Sequence, residues 1–177
     1  MLDCHVIVSS DTPRAWVTQC LGSVEVAQAQ APFPVSLHVV PGVPGHIGRA
    51  RATGYAQGSY PYVTCVDDDD YLLPHAFAAL ADALQERPDA IFTRELVVQN
   101  GKTMPGWQRH HLAAYRRDVL IDFEPWPCND AMAQIRAVEH GRVVDITRPG
   151  YVHRLYGDSK ARRLRAAMPH IARQLHG

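Results

Sequence analysis

The chain has 177 residues, 46% of them hydrophobic, and its 18 Lys and Arg residues balance 18 Asp and Glu residues to a formal net charge of +0. This size and composition predict one globular domain with a sizeable core. The neutral balance disfavours a protein that works by coating nucleic acid or an anionic membrane. No apolar run approaches the roughly 20 residues that span a bilayer, and no secretory signal follows Met1, so we expect a cytoplasmic protein.

The first part of the chain alternates between strand-like and helix-like segments. "CHVIVSS" predicts a strand, and "PRAWVTQCLGSVEVAQAQ" predicts a helix with Trp16, Val17, Cys20, Leu21 and Val24 on one face. "PVSLHVV" predicts a second strand, the Pro/Gly-rich "PGVPGH" a loop, and "IGRARATGYAQG" a short helix. "YPYVTCV" predicts a third strand, which ends at four consecutive aspartates.

The alternation continues after the aspartates. "HAFAALADALQERPD" predicts a helix that starts behind Pro74 and places Phe77, Leu80, Ala81 and Leu84 on one face. "AIFTRELVVQNGK" predicts a fourth strand closing in an Asn-Gly turn, "NDAMAQIRAVEHG" a helix and "RVVDIT" a further strand. Repeated strand and helix units predict an α/β fold, with a mostly parallel sheet and helices on both faces.

The four cysteines do not form a recognisable metal site. Cys4, Cys20, Cys65 and Cys128 are far apart and have no zinc-site spacing. We expect reduced thiols, with Cys4 and Cys65 buried in strands.

The run Asp67–Asp70 marks the candidate site. Ligands of open α/β sheets bind at the carboxyl ends of the strands, and these residues directly follow the third one. Neighbouring carboxylates in a partly desolvated loop repel each other, and a divalent cation relieves that repulsion. Oxygen ligands suit Mg²⁺ or Mn²⁺, which often also bind substrate phosphates. The alternative is a solvated turn whose aspartates cap the following helix.

The segment "HIGRARATGYAQGSYPYVTCVDDDDYLLP" resembles the central signature of family 2 glycosyltransferases with the GT-A fold, in which an Asp-x-Asp motif follows a strand. "HLAAYRRDVL" is similar to the acceptor-side segment of that family, and "WPCNDAMAQIRAVEHGRVVDI" to its Glu-Asp helix and following strand. The resemblance runs from Cys4 to about Ser159. It implies a Rossmann-like GT-A domain over residues 1–157, with residues 158–177 as a C-terminal helical tail.

The resemblance implies a donor site at the aspartates. Asp67 and Asp69 match the outer residues of the motif, which hold a Mn²⁺ or Mg²⁺ ion and the donor ribose and diphosphate. Asp68 becomes a further donor-side group, and Asp68 and Asp70 either support the motif or cap the next helix.

The resemblance also implies a catalytic base. Asp130 matches the aspartate of the Glu-Asp motif, which removes a proton from the acceptor hydroxyl during an inverting displacement. Asn129 stands where the family usually has glutamate, so acceptor orientation could differ. A helix N-cap is the competing explanation for this Asn-Asp pair.

Further donor contacts are expected from basic and turn residues. Arg49, Arg51 and Arg154 are candidates for the leaving diphosphate, and Ser9 and Asp11 for the nucleobase. The stretch "YVHRLYGDS" resembles a C-terminal loop that closes over the donor.

In that loop, His153 or Tyr156 could contact the metal or a phosphate. Relatives place an aspartate for uracil where this chain has Pro41, so a UDP-sugar is the favoured donor but the base stays open.

Acceptor binding is expected between the two motifs. Trp107 could stack on a sugar face, and Arg109, His110 and His111 could contact hydroxyls. Adjacent histidines in a strand point to opposite faces, so we do not expect these two to share a metal. The basic run near Arg162 is either a solvated helix face or a contact for an anionic partner.

Two other functions stay open. A nucleotidyltransferase would share the α/β core, but "VSSDTPRAW" lacks the Gly-rich loop of such enzymes. A non-catalytic relative that binds a nucleotide or a partner is the other alternative, favoured by Asn129 and by the short chain. The short chain also leaves room for a partner subunit, including a second copy, to complete the site.

Overall fold

A computed structural model describes residues 1–44, 46–106, 112–120, 139 and 141–155. Its helices and strands are, in chain order, β1 (Leu2–Val8), α1 (Arg14–Ala29), β2 (Val35–Pro41), α2 (Ile47–Tyr55), β3 (Tyr62–Asp67), β4 (Tyr71–Leu72), α3 (Ala81–Gln85), β5 (Ala90–Gln99), β6 (Lys102–Pro105), β7 (Ala113–Arg116) and β8 (Val143–Leu155). Two short 3₁₀ helices span Ala78–Leu80 and Arg117–Leu120.

The strands of the described segments form one sheet in the order β2-β1-β3-β7-β5-β8-β4, and β6 pairs with β5. β1 runs parallel to β2 and β3, and β5 runs parallel to β8. The short strands β4, β6 and β7 are antiparallel to their neighbours. The five longest strands therefore point the same way, which confirms the prediction of a mostly parallel α/β sheet.

Helices cover both faces of this sheet, as predicted. On one face a large apolar cluster joins alternate residues of β1 to buried residues of α1: Leu2, Cys4 and Val6 with Cys20, Val24 and Ala27. On the other face, Ile7 and Val40 pack against Ala50 of α2. Because side chains alternate along β1, this strand contributes to an apolar core on each face of the sheet.

The helix predicted behind Pro74 is shorter than expected. The chain first makes a turn, in which the Ala76 amide donates to the Leu73 carbonyl at 2.9 Å, and α3 begins only at Ala81. The His75 ring is hydrogen-bonded to the Pro149 carbonyl at 2.9 Å, which ties this turn to β8. Of the four predicted apolar positions, Phe77 and Leu80 are fully buried, whereas Ala81 and Leu84 are half-buried.

The Asn-Gly turn after the fourth strand is confirmed. Asn100 and Gly101 have φ angles of 51° and 73°, and Gln99 pairs with Lys102 across them. Two consecutive positive φ angles are typical of a type I′ hairpin turn, which explains the residue choice.

A buried polar network closes the opposite, amino end of the sheet. Asp3 is 1% exposed and lies 2.8 Å from Nε2 of His38, and it accepts hydrogen bonds from Arg117 at 2.6 Å and from the Tyr60 amide at 2.8 Å. Burial raises the pKa of Asp3, but these hydrogen bonds outweigh it, so the pKa is lowered. This network stabilises the end of the sheet that lies opposite the four aspartates.

The described cysteines Cys4, Cys20 and Cys65 are free thiols. Cys4 is buried in β1 and Cys65 is half-buried in β3, which agrees with the prediction for Cys4 and partly for Cys65. Over the described ranges, no helix combines the length and the apolar character that a membrane crossing requires.

Candidate donor and metal site

Asp67–Asp70, called here the aspartate turn, connects β3 to β4 at the carboxyl end of the parallel strands. The Asp70 amide donates to the Asp67 carbonyl at 3.0 Å, which closes the turn. Asp67, Asp69 and Asp70 each offer a carboxylate oxygen, and these oxygens lie within 4.8 Å of one another. Three convergent carboxylates fit a hard divalent cation such as Mg²⁺ or Mn²⁺.

Helix α2 supplies a guanidinium to this turn. One terminal nitrogen of Arg51 lies 2.9 and 3.0 Å from the two carboxylate oxygens of Asp67. Arg51 is 8% exposed, so the pair is largely shielded from water. Arg49 lies on the same helix but is exposed. The structure therefore brings Arg51, one of the two predicted arginines, into the turn.

Asp68 ties the aspartate turn to the loop between β1 and α1. Its carboxylate accepts hydrogen bonds from the Ser9 amide at 2.7 Å and from the Thr12 hydroxyl at 3.0 Å. Burial raises the pKa of Asp68, although the Ser9 and Thr12 hydrogen bonds favour the charged form. Asp11 is exposed, and its amide donates to the Ser9 hydroxyl at 3.3 Å. The two predicted base-contacting residues thus lie in a loop beside the turn.

Asp70 ties the turn to β8. Its fully buried carboxylate accepts hydrogen bonds from the Tyr151 hydroxyl at 2.8 Å and from the Arg154 amide at 2.7 Å, and it lies 2.9 Å from Nδ1 of His153. The Tyr151 hydroxyl also accepts from the Asp67 amide at 3.2 Å. Burial is the main cause of the raised pKa of Tyr151, so its hydroxyl keeps the proton that it donates.

The prediction that "YVHRLYGDS" begins a loop over the donor is wrong for its first five residues. They continue β8, where Tyr151 and Val152 pair with β4 on one side and Leu155 reaches the end of β5 on the other. The resemblance gave no sign of this strand, because its last residues are held by long-range pairing that continues past a change of register with β5 near Pro149. A Pro-Gly pair normally signals a loop, but here it sits at an irregularity inside a strand.

His153 faces the site through its hydrogen bond to Asp70. Burial disfavours the charged imidazole, but the Asp70 hydrogen bond and the charges of Asp70, Glu95 and Asp67 outweigh it, so the pKa of His153 is raised. The group of described residues that converges on a common metal position consists of Asp67, Asp69 and Asp70 and does not include His153. A metal contact by His153 stays a prediction.

Arg154 binds the outside of the aspartate turn. Its guanidinium donates to the main-chain oxygen of Asp69 at 2.5 Å and to the side-chain oxygen of Gln19 at 2.5 Å. Its central carbon lies 4.7 Å from the ring centre of Tyr71 and 5.5 Å from that of Trp16. The side chain therefore joins α1, β4 and the turn to β8.

Several predicted site residues lie outside the described residues, so their roles stay predictions. They are the acceptor candidates Trp107, Arg109, His110, His111 and Asn129, the base Asp130, the loop residue Tyr156 and the basic run near Arg162. The boundary of the C-terminal tail at residue 158 lies there as well.

Sequence reasoning missed two residues that shape the site. Thr12 holds Asp68, and Tyr151 bridges Asp67 and Asp70. Thr12 follows Asp11 in a polar turn, which is a weak signal at best. Tyr151 is 84 residues from Asp67 and 81 from Asp70, and no local pattern connects such distant positions.

Solved structures of similar shape support the fold. A crystal structure of S. aureus TarS 1–349 in complex with UDP-GlcNAc has a TM-score of 0.69 and 16% identity, over 89% of this chain and 59% of that one. The bifunctional IspDF from Campylobacter jejuni has a TM-score of 0.54 and 11% identity, over 83% and 49% of the two chains. The chain spans 60% of the length of TarS 1–349 and 36% of that of a longer TarS structure.

Sequence comparison gives the family. None of the curated proteins compared with the chain matches it. The family model described as glycosyl transferase family 2 matches residues 21–141, a range that contains α2, β3 and the aspartate turn. The resemblance inferred from the aspartate segment and the GT-A type of fold are thereby confirmed, and the chain belongs to glycosyl transferase family 2.

Proposed function

We propose that the chain transfers a sugar from a nucleotide diphosphate sugar to an acceptor hydroxyl. The observation that carries this proposal is the aspartate turn, in which three carboxylates converge at the carboxyl end of β3 inside the region matched by the family. In open α/β sheets this end of the strands is where ligands bind. The surrounding contacts hold each part of the turn, as a preorganised site requires.

A divalent cation fits this turn. Asp67, Asp69 and Asp70 would hold Mg²⁺ or Mn²⁺ through oxygen atoms, with solvent and phosphate oxygens as the remaining ligands. When bound, the ion supplies positive charge that stabilises the diphosphate leaving group. Arg51, paired with Asp67 at 2.9 Å, is positioned to add a second positive charge beside that group.

UDP is the nucleotide that we favour in the donor. TarS, a structural neighbour, has been solved in complex with UDP and with UDP-GlcNAc. In this chain Asp68 holds the loop that contains Ser9 and Asp11 beside the aspartate turn, which supports a nucleoside position next to this loop. Pro41 stands where relatives carry a uracil-binding aspartate, so the base must be measured.

The reaction that we propose is a single displacement with inversion. The acceptor oxygen forms a bond to the anomeric carbon while the bond from that carbon to the diphosphate oxygen breaks, and the nucleoside diphosphate leaves with the electron pair. Asp130 accepts the hydroxyl proton as general base. The family motif supports this role for Asp130, and Asn129 beside it is the position where this chain departs from the motif.

The test is a calorimetric titration of the protein with UDP, GDP, CMP and TDP, each with and without Mn²⁺. We expect one nucleotide, UDP first among them, to bind more tightly with Mn²⁺ than without it, and then transfer from its sugar conjugates with inverted configuration. If no nucleotide binds under either condition, the donor proposal fails, and a non-catalytic partner-binding role becomes the better account. If a nucleotide binds but no sugar conjugate is used, the chain is a nucleotide-binding relative.

A further inference from the structure

We propose that Arg154 is a positioning residue for the aspartate turn and not a ligand of the donor diphosphate. The inference rests on the proposed function, because it names how this chain keeps the carboxylates of its metal site in place. The family resemblance alone would place Arg154 on the donor, but the contacts of its side chain and main chain favour the other role.

Both ends of Arg154 are engaged with the turn. Its main-chain amide donates to one oxygen of Asp70 at 2.7 Å, and its guanidinium donates to the main-chain oxygen of Asp69 at 2.5 Å. The second hydrogen bond uses the carbonyl of Asp69 and not its carboxylate. Arg154 can therefore fix the direction of residue 69 without occupying the group that would bind the ion.

The guanidinium is also anchored away from the site. Its second terminal nitrogen donates to the side-chain oxygen of Gln19 on α1, and the group lies over the rings of Tyr71 and Trp16. An arginine that stacks on aromatic rings and makes directed hydrogen bonds loses much of its freedom to move. The Arg154 guanidinium would have to break these contacts to reach a diphosphate, so its geometry favours a positioning role.

The charge of Arg154 complements this mechanical role. One carboxylate oxygen from each of Asp67, Asp69 and Asp70 lies within 4.8 Å of the others. The Arg154 guanidinium, which is hydrogen-bonded to the main-chain oxygen of Asp69, lowers the repulsion among these negative charges. Outer residues that orient metal ligands typically change metal affinity by roughly 10- to 100-fold when they are removed. We expect that scale of effect here.

The experiment compares Arg154→Met and Arg154→Lys with a matched control, Arg148→Met. Arg148 is an exposed residue of the same strand, six positions before Arg154. Two quantities are measured for each protein: Mn²⁺ binding without nucleotide, by electron paramagnetic resonance, and UDP binding with a chelator present, by calorimetry. Circular dichroism and urea unfolding confirm that each variant is folded.

We expect Arg154→Met to weaken Mn²⁺ binding by roughly 10- to 100-fold, with metal-free UDP binding unchanged within about twofold. Arg154→Lys should recover little of this loss, because an ammonium group cannot reproduce the forked hydrogen bonds. Arg148→Met should change neither quantity. If metal-free UDP binding falls with Arg154→Met, the arginine is a donor ligand and the inference is overturned.

Two further results would also overturn the inference: unchanged Mn²⁺ binding in Arg154→Met, or no Mn²⁺ binding by the parent chain. A parent chain that binds Mn²⁺ but no nucleotide contradicts the proposed function instead, and the comparison of Mn²⁺ affinities still decides the role of Arg154.

Discussion

Arg51 places one guanidinium nitrogen 2.9 and 3.0 Å from the two carboxylate oxygens of Asp67, so a positive charge from α2 faces the end of β3. The side chains of Arg51 and Asp67 are 10% and 22% exposed. An ion pair this shielded is costly to break, because the remaining charge keeps its desolvation cost and loses its partner.

Arg51→Met should therefore destabilise the fold by about 1–3 kcal/mol. The matched control is Arg49→Met, an exposed position on the same helix, where we expect a change within about 0.5 kcal/mol. Urea unfolding of the parent and both variants measures these differences. Equal stability of all three proteins would show that the Arg51–Asp67 pair contributes nothing measurable.

Replacing Asp68 should loosen the loop that carries Ser9. Asp68→Ala removes the acceptors of the Ser9 amide and the Thr12 hydroxyl and should cost about 1–3 kcal/mol. Asp68→Asn keeps one side-chain oxygen and should lose less. Hydrogen exchange at the Ser9 amide is the direct measurement, with exposed Asp11→Ala as the control. Unchanged protection at Ser9 in Asp68→Ala would rule out this link.

Acid should weaken the fold through His5 before it affects Asp3. His5 is fully buried, its Nδ1 lies 3.1 Å from the Thr64 carbonyl, and its Nε2 has no hydrogen-bond partner among the described residues. Burial, the largest cause, lowers the pKa of His5 from 6.5 to about 4. The folded state thus favours the neutral ring. Its contribution to stability is complete above the unfolded pKa near 6.5 and is lost as the pH falls towards about 4.

The loss of the His5 contribution alone should lower the free energy of unfolding by up to about 3 kcal/mol over that window. The pKa of Asp3 is lowered from its ordinary value of 3.8. The stability that its charged form contributes is therefore lost only at more acidic pH. His5→Gln should flatten the dependence between pH 7 and pH 4, measured by urea unfolding, whereas His46→Gln at an exposed position should leave the slope intact. An unaltered slope in His5→Gln would refute the assignment.

Gly58 should be far less tolerant of a side chain than Gly101. Both residues have positive φ angles, 77° and 73°. A Cβ at Gly58 would lie 2.2 Å from the carboxyl group of Asp3, whereas a Cβ at Gly101 would meet nothing within 4 Å. Gly101→Ala thus reports the backbone strain alone, about 1–2 kcal/mol. Gly58→Ala should cost clearly more in thermal or urea unfolding, and equal losses would show that Asp3 moves aside freely.

Local patterns predicted the elements that bury one clean apolar face. β1, α1 and β3 follow from such patterns, and the aspartate turn follows from its position behind β3. The length of α3 could not be predicted this way, because the turn before it is tied through His75 to the Pro149 carbonyl, a contact across 74 residues of sequence. The extent of β8 was also missed, since its last residues are strand only through pairing with β4 and β5.

The same distinction holds in the site. A metal site built on Asp67 and Asp69 was expected from one short segment, whereas Asp70, which was expected to support the motif or cap a helix, converges with them. The conformation of the aspartate turn depends on Thr12, Tyr151 and Arg154, whose partners Asp68, Asp67 and Asp69 are 56, 84 and 85 residues away. Such contacts arise from the tertiary fold, and a single sequence gives no local sign of them.

In the proposed function, the aspartate turn holds a cation that binds the donor diphosphate. The most direct measurement is the calorimetric affinity of UDP with and without Mn²⁺ for the parent chain, for Asp69→Asn and for the exposed control Asp82→Asn on α3. We predict that Mn²⁺ strengthens UDP binding in the parent and in Asp82→Asn, and that Asp69→Asn abolishes this gain while remaining folded. UDP binding that is independent of Mn²⁺ and insensitive to Asp69→Asn would show that no cation at the aspartate turn takes part in donor binding.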